Sequence, residues 1–171
     1  MLNRLLMLSV ITWLTLVSAV YAKQIDQESI IAQQLDNYHS AAANANAEKY
    51  LGLMADDSVF LGTDASERWT KPAFTEFVLP YFERGIGWQY IAKQRHIDLV
   101  TSDTAMFDEL LWNDKYGWCR GSGVMVKTGQ HWLIKQYSLS LMVPNELAKQ
   151  VLAITKQPAT LGQQLTNDKT Q

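Results

Sequence analysis

Three segments of alternating apolar and polar residues occupy positions 104–143, which read "TAMFDELLWNDKYGWCRGSGVMVKTGQHWLIKQYSLSLMV". Alternation with a period of two is typical of strands that bury one face. The segments are separated only by the turn-forming runs Asn113–Gly117 and Thr128–Gly129. Because such short connections join adjacent antiparallel strands, the stretch predicts a meander. A fourth alternating segment, "WQYIAKQRHIDLVTS", precedes it and extends the predicted sheet.

Two segments upstream of these strands have the period of helices. The first, "QIDQESIIAQQLDNYHSAAANANAEKYLGLM", spaces its apolar residues helically at Ile30, Ile31, Leu35, Tyr38 and Ala42. The second has Thr70 as a predicted N-cap and Gly85 as its end, and its apolar face consists of Phe74, Phe77, Val78, Tyr81 and Phe82. Between them, "DDSVFLGT" predicts a short strand, and "ELAKQVLAI" after Pro144 predicts a short helix. Helices followed by one long antiparallel sheet predict an α+β domain whose sheet curves around the helices.

The first 22 residues have the order of a secretory signal peptide. Arg4 precedes an apolar run from Leu5 to Val17, and small residues end at Ala22. The apolar run is short for a membrane span, although an uncleaved anchor is the alternative. We expect cleavage after Ala22, export to the periplasm or beyond the cell, a domain over residues 23–155 and a disordered polar tail over residues 156–171.

The charge and the cysteine count exclude several functional classes. The chain has 15 basic and 17 acidic residues, so removal of Arg4 leaves 14 basic residues and a net charge of about −3. A dense basic face for nucleic acid is therefore not expected. Cys119 is the single cysteine, so an internal disulfide is impossible, and the scattered His39, His96 and His131 lack the spacing of metal ligands. The sequence predicts no metal and no cofactor.

Three motifs resemble the SnoaL-like members of the NTF2-like superfamily. They are "GTDASERWT" after the first strand, the hairpin "KYGWCRGSGV" and the last strand "HWLIKQYSLSLMVPN", and the resemblance covers roughly residues 27–155. It implies a cone-shaped α+β barrel with a pocket at its open end, and frequently a homodimer formed through the sheet. The superfamily includes polyketide cyclases, ketosteroid isomerases, dehydratases, epoxide hydrolases and non-catalytic modules, so this fold does not define an activity.

Glu109 and Arg120 are the first candidates for a polar site. They lie on consecutive predicted strands, so we expect them to meet as cross-strand neighbours inside the cone. Such a pair either binds a polar group of a ligand or fixes the register of the sheet, and the structural role is favoured. Asp57, at the head of a strand, is the other candidate base, with a capping role as its alternative. Gly121 and Gly123 predict a bulge or a close backbone approach.

The leading hypothesis is a small apolar ligand bound in the cone. Its predicted contacts are Trp69, Phe74, Phe77, Tyr81, Tyr90, Glu109, Arg120 and Gln136. One alternative is a hydrolase, or an isomerase or dehydratase, acting on a hydrophobic substrate, with Glu109 or Asp57 as base and Arg120 as orienting residue. Another is a non-catalytic module whose outer sheet face recruits a protein. Apolar residues on both faces of the last strand predict a homodimer through the sheet, and no membrane contact is expected after cleavage.

Overall fold

A computed structural model describes residues 27–155, so the predicted signal peptide and polar tail lie outside the described residues. Helix α1 covers residues 27–43 of this range. The further elements are α2 (Ala47–Gly52), β1 (Met54–Leu61), β2 (Arg68–Thr70), α3 (Lys71–Phe82), β3 (Ile91–Leu99), β4 (Thr104–Asn113), β5 (Gly117–Thr128), β6 (His131–Leu141), a 3-10 turn (Asn145–Leu147) and α4 (Ala148–Ile154). Within residues 27–155, no helix combines the length and the apolar character needed to cross a bilayer.

The six strands form one sheet in the order β2-β1-β6-β5-β4-β3. Strands β3 to β6 pair antiparallel in succession, which confirms the predicted meander and the α+β class. Strand β1 pairs parallel with β6, so the expectation of a purely antiparallel sheet is wrong at this position. Parallel pairing needs a long connection, and the chain between these two strands contains α3 and four further strands.

The helices cover one face of the sheet and supply much of the core. Helix α1 buries Ile31, Leu35 and Tyr38, in agreement with the predicted spacing. Helix α3 begins after Thr70 as predicted, and it buries Phe74, Val78 and Phe82. Phe74 stacks on Phe60 of β1 with ring centroids 4.2 Å apart, which fixes α3 against the sheet.

A bulge in β6 changes which of its residues face the core. The register shifts between the pairs Met125↔Ile134 and Val124↔Gln136, and Tyr137 is then buried on the same side as Ile134. Strict alternation would place Ile134 and Tyr137 on opposite faces, so it does not hold beyond Ile134. A Cβ atom at Gly123 would lie 2.0 Å from the Gln136 carbonyl oxygen, so the close backbone approach predicted at this glycine is confirmed.

Candidate functional site

A cleft of about 620 Å³ opens between α3, the segment before β3 and the β4–β5 turn. Nearly half of the residues in its walls are aromatic. They include Trp69, Phe74, Phe77, Tyr81 and Tyr90, all of which the sequence predicted as ligand contacts, together with Phe60, Trp88, Trp112 and Tyr116. The five aromatic residues predicted as ligand contacts thus line a cavity, whereas their role in ligand binding stays a prediction.

The aromatic walls are held by contacts between rings of different elements. Trp69 of β2 stacks on Phe77 of α3 at a centroid distance of 4.9 Å and an interplanar angle of 17°. Phe77 and Tyr81 lie one helical turn apart, and each remains 38% exposed because it faces the cleft instead of the core. Trp88 packs on Phe82, 4.7 Å away. The wall is therefore organised before any ligand arrives.

The side chain of Asn113 stabilises the rim of the cleft by hydrogen bonds, a role that was not predicted from the sequence. Its side-chain amide donates to the Gln89 carbonyl oxygen at 2.8 Å. Its side-chain oxygen accepts from the backbone amides of Lys115 and Tyr116 at 3.0 and 2.9 Å. In the sequence, the position of Asn113 at the start of a turn-forming run is the feature that could indicate this role.

A buried ion-pair network lies deeper in the cone and is centred on Glu109, whose side chain is 0% exposed. Its Oε1 accepts from Nε of Arg95 at 2.8 Å, and Nη2 of Arg95 lies 2.7 Å from the same oxygen. Its Oε2 contacts Nε2 of His39 at 2.8 Å and accepts from the Tyr137 hydroxyl at 3.1 Å. Arg95 also donates to the Ala32 carbonyl oxygen. The network therefore joins α1 to three strands of the sheet.

Glu109 is ionised within this network. Burial acts to raise the pKa of its carboxyl group, but the hydrogen bond and charge of His39 and those of Arg95 outweigh burial, so the pKa is lowered. An ionised carboxylate only accepts hydrogen bonds, so Nε2 of His39 carries the hydrogen between them. Burial, followed by the nearby charge of Glu109, raises the pKa of Tyr137 well above its usual range. Tyr137 therefore stays protonated.

Arg120 lies on the outer face of the sheet and not in the cone. Its Nη1 donates to Oδ1 of Asp108 at 2.9 Å. The β4–β5 register places Gly121 opposite Glu109 and Leu110 opposite Arg120, so the predicted contact between Glu109 and Arg120 is wrong by one residue. Arg95, which is directly opposite Glu109 on β3, takes the place expected for Arg120.

Gly121 provides the space that Tyr137 occupies. A Cβ atom at position 121 would lie 2.2 Å from the Tyr137 hydroxyl oxygen and 2.9 Å from the ring carbon that bears it. The approach at this glycine is therefore made by a side chain, and not by the backbone as the sequence had predicted. The absence of a side chain at position 121 lets the Tyr137 hydroxyl reach Glu109.

The two other predicted polar residues lie away from the cleft. Asp57 is exposed and forms an ion pair with Lys135, whose hydrogen bond lowers the pKa of the carboxyl group. Gln136 follows the bulge of β6 and pairs with Val124, on the opposite side of the strand from Tyr137. Neither residue lines the cavity, so the placement of Gln136 inside the cone is wrong.

A second cavity, a chamber of about 20 Å³, lies behind the inner wall of the cleft. The cleft and the chamber share Phe60, Trp88, Tyr90 and Leu139 as wall residues. The rest of the chamber is lined by Tyr38, His39, Ala42, Tyr50 and Tyr137. The chamber is thus the point where the buried network comes closest to the cleft.

Tyr38 and Tyr50 form a hydroxyl pair at this chamber. The Tyr38 hydroxyl donates to the Tyr50 hydroxyl at 2.8 Å, and the two rings stack with centroids 4.3 Å apart. Burial raises the pKa of Tyr50 to about 12, although interactions with Tyr38 and Trp88 act to lower it. Burial also raises the pKa of Tyr38 well above its usual range. Both hydroxyl groups therefore keep their hydrogens. Among residues 27–155, no cluster of three or more potential metal ligands is present.

Comparison with known proteins identifies the family. The model of the SnoaL-like domain matches residues 31–144, so the chain belongs to the SnoaL-like family and has its NTF2-like fold. No curated protein matches the chain.

Solved structures are similar over most of the chain. A domain of unknown function with a cystatin-like fold from Nostoc punctiforme is 13% identical, with a TM-score of 0.63, over 82% of this chain and 92% of that chain. An NTF2-like protein of unknown function from Pseudomonas putida is 17% identical, with a TM-score of 0.60, over 71% and 91%. A proposed scytalone dehydratase from Novosphingobium aromaticivorans is 14% identical, with a TM-score of 0.61, over 70% and 87%. At these identities the similarities establish the fold alone.

Proposed function

We propose that the protein binds a small, mostly apolar molecule with a flat ring system in the aromatic cleft. The observation that carries this proposal is the cleft itself, which has a volume of about 620 Å³ and nine aromatic residues in its walls. Ligand pockets usually have volumes of about 300–1,000 Å³ and apolar walls with a few polar groups. Flat apolar compounds gain both burial and ring stacking in such a pocket.

The polar residues support binding over the catalytic schemes that the sequence suggested. Glu109 is a poor general base because its lowered pKa and its donors from Arg95, His39 and Tyr137 stabilise the ionised form. Arg120 and Asp57 are engaged at the outer surface. The proposed catalytic set of these three residues therefore has no common position in which to act on a substrate.

The intrinsic fluorescence of the cleft tests the binding proposal. Trp69, Trp88 and Trp112 line the cavity, so a bound aromatic compound is expected to change their emission. A panel of neutral bicyclic compounds is titrated into the protein, and native mass spectrometry gives the stoichiometry. Phe77→Ala is expected to weaken binding at least fivefold, whereas Met106→Ala, on the outer sheet face and 51% exposed, leaves affinity unchanged. Equal affinities of the two variants, or no binding by any compound, would contradict the proposal.

A second candidate function is proton transfer by His39, as in an isomerase or dehydratase. The observation that favours it is that His39 is held by ionised Glu109 and lines the chamber next to the cleft. A histidine oriented by a carboxylate is suited to acid–base chemistry. Exchange of carbon-bound hydrogen for deuterium in bound ketones tests it by NMR. Exchange that His39→Gln abolishes supports the enzyme, and exchange at the same rate in the variant excludes His39 as the acid or base.

Export and dimerisation through the outer sheet face remain proposals. The leader-like order of residues 1–22 supports export, and an intact mass beginning at Lys23 in a periplasmic or secreted fraction would test it. The exposed apolar side chains of Met106 and Trp118 on the outer face support a self-association surface. Light scattering on the wild type and on Met106→Lys tests the dimer, and a monomeric wild type excludes it. The alternative occupant of this face is another protein.

A further inference from the structure

The loop between β1 and β2 brings a carboxylate without a cationic partner to the cleft. Glu67, in the run "GTDASERWT", is half-buried and lines the cavity. Its Oε2 accepts from the backbone amide of Asp64 at 3.0 Å, and no donor within residues 27–155 reaches its Oε1. None of the ion pairs formed in that part of the chain includes Glu67. Its charge is therefore left for a ligand to compensate.

The loop holds this carboxylate in place with its own backbone. The Glu67 amide donates to the Asp64 carbonyl oxygen at 3.0 Å, and the Gly62 amide donates to the Glu67 carbonyl oxygen at 2.8 Å. A Cβ atom at Gly62 would lie 2.2 Å from Oε2 of Glu67, so a side chain at this position would displace the carboxylate. The position of the carboxylate is therefore set before a ligand binds.

Ring faces next to Glu67 complete a site for a positive charge. Trp69 follows two residues later in the extended chain, so its side chain is directed to the same side as that of Glu67, and it also lines the cleft. The face of an aromatic ring, and of tryptophan above all, attracts a cation. Two rings of the cleft, Tyr81 and Tyr116, already have a cation of the protein over one face, at 5.2 and 4.9 Å from the ring centroid.

The other charges near the cleft do not compensate the charge of Glu67. The two cations over these rings, Arg84 and Lys115, are exposed side chains, so water and salt screen them. Asp114, next to Lys115 in the β4–β5 turn, has the opposite charge and also lines the cavity. Burial raises the pKa of Tyr90, and the charge of Glu67 adds to this increase, so the carboxylate acts on the inner wall of the cleft.

We infer that the ligand of the cleft is an aromatic compound with a cationic nitrogen, quaternary or protonated, and that Glu67 and Trp69 bind this nitrogen. The inference rests on the proposed function, because the rest of the cleft would hold the ring of the same ligand. It adds the chemical class of the ligand and the residue that selects it. A neutral ring gains only burial and stacking in this cleft, and an anion is repelled by Glu67.

The test compares compounds of the same shape and different charge. N-Methylquinolinium and 1-methylnaphthalene share a bicyclic frame and differ by one ring atom, a charged nitrogen in place of a carbon, and 1-naphthoate is the anionic compound. Calorimetry measures their affinities for the wild type and for Glu67→Gln, whose amide oxygen can still accept from Asp64. We expect the variant to bind N-methylquinolinium at least about fivefold more weakly and 1-methylnaphthalene within about twofold of the wild type. It should bind 1-naphthoate more tightly than the wild type does.

Asp114→Asn is the matched control. It also removes one carboxylate from the cavity wall, and it keeps the oxygen that accepts from the Trp112 indole. It should change the affinity for N-methylquinolinium by less than about twofold, because the ion pair of the ligand is with Glu67. A loss in Asp114→Asn as large as that in Glu67→Gln would assign the effect to overall charge and overturn the inference.

The remaining outcomes separate the inference from the proposed function. If Glu67→Gln weakens the cation and the neutral compound equally, or weakens neither, the inference is overturned and the proposed function stands. The same holds if the wild type binds 1-methylnaphthalene but not N-methylquinolinium. Failure of the wild type to bind any of the three compounds overturns the proposed function itself.

A measurement on the wild-type protein locates the charge without any variant. Nuclear Overhauser effects from the N-methyl hydrogens of bound N-methylquinolinium report which side chains surround the nitrogen. We expect them to reach the indole ring of Trp69 and the methylene hydrogens of Glu67. Effects to Tyr116 at the rim in place of these two residues overturn the inference.

Discussion

Replacement of Gly121 by alanine tests the packing of the buried network. The added Cβ would lie 2.2 Å from the Tyr137 hydroxyl oxygen and 3.0 Å from a methyl carbon of Leu111. Tyr137 must move, which costs about 1–3 kcal/mol for overpacking. Its hydrogen bond to ionised Glu109 is then lost, which costs about 1.5–3 kcal/mol more. We therefore expect the free energy of unfolding to fall by about 2.5–6 kcal/mol.

Urea denaturation measures this loss, and a double-mutant cycle assigns its cause. With a slope of about 2 kcal/mol/M, the midpoint should decrease by more than about 1 M. Tyr137→Phe removes the clashing oxygen and leaves the ring carbon at 2.9 Å as the nearest atom. In that background Gly121→Ala should cost at least about 1.5 kcal/mol less than in the wild type.

Gly52→Ala is the matched control, because a Cβ at Gly52 meets no atom within 4 Å. Gly52 ends helix α2, so alanine there should be neutral or slightly stabilising. The reasoning is refuted if Gly121→Ala changes the free energy of unfolding by less than about 0.5 kcal/mol, the range of ordinary surface changes. An equal cost of Gly121→Ala with and without the Tyr137 hydroxyl would show that the hydroxyl is not the cause.

Three further predictions concern the ionised and titratable groups. Glu109→Gln should destabilise by about 1.5–3 kcal/mol because it removes the buried carboxylate that Arg95 and Tyr137 donate to, while Arg95 keeps its ion pair with Asp36. Arg120→Ala should cost at most about 1 kcal/mol because its ion pair is exposed, and urea midpoints separate the two variants. The pKa of Glu109 is lower in the folded than in the unfolded chain, so its stabilisation is complete above about pH 4.3 and is lost as the pH falls through the folded pKa. Acid melts of wild type should therefore fall more steeply below pH 4.3 than those of Glu109→Gln, and parallel curves would contradict this. Cys119 is buried and burial raises the pKa of its thiol, so a thiol reagent should label it only after unfolding; labelling of the native protein at the rate of a free thiol would show that the site opens.

The elements of the fold could be predicted from the sequence because each depends on local patterns. The periodicity of α1 and α3 and the alternation of β3 to β6 are properties of neighbouring residues. The aromatic face of α3 could be predicted for the same reason, and Phe77 and Tyr81 indeed line the cleft. The parallel pairing of β1 with β6 could not, since nothing local in either strand specifies a partner so distant in the chain.

The buried site was predicted only in part because it depends on register. Glu109 was recognised as a polar residue in an apolar strand. The assumed pairing of β4 with β5 was shifted by one residue and placed Arg120 beside Glu109. In the structure, Arg95 on β3 is the residue opposite Glu109. Tyr137 could not be placed by alternation because the bulge of β6 reverses the alternation before it. His39 reaches Glu109 across 70 positions of the chain. A count of residues across the β3–β4 turn would have given the Arg95 pairing.

The position of β6 affects how the chain can fold during synthesis. The last strand to be made lies between β1 and β5, in the interior of the sheet. Until it is in place, the β1–β2 pair and the β3–β5 sheet are separate pieces, each with an open edge that can pair with another chain. Assembly therefore requires contacts between the two ends of the domain, which makes folding slow and dependent on the complete domain. A nascent chain still lacking residues 131–141 is thus the form most exposed to aggregation and most in need of a chaperone.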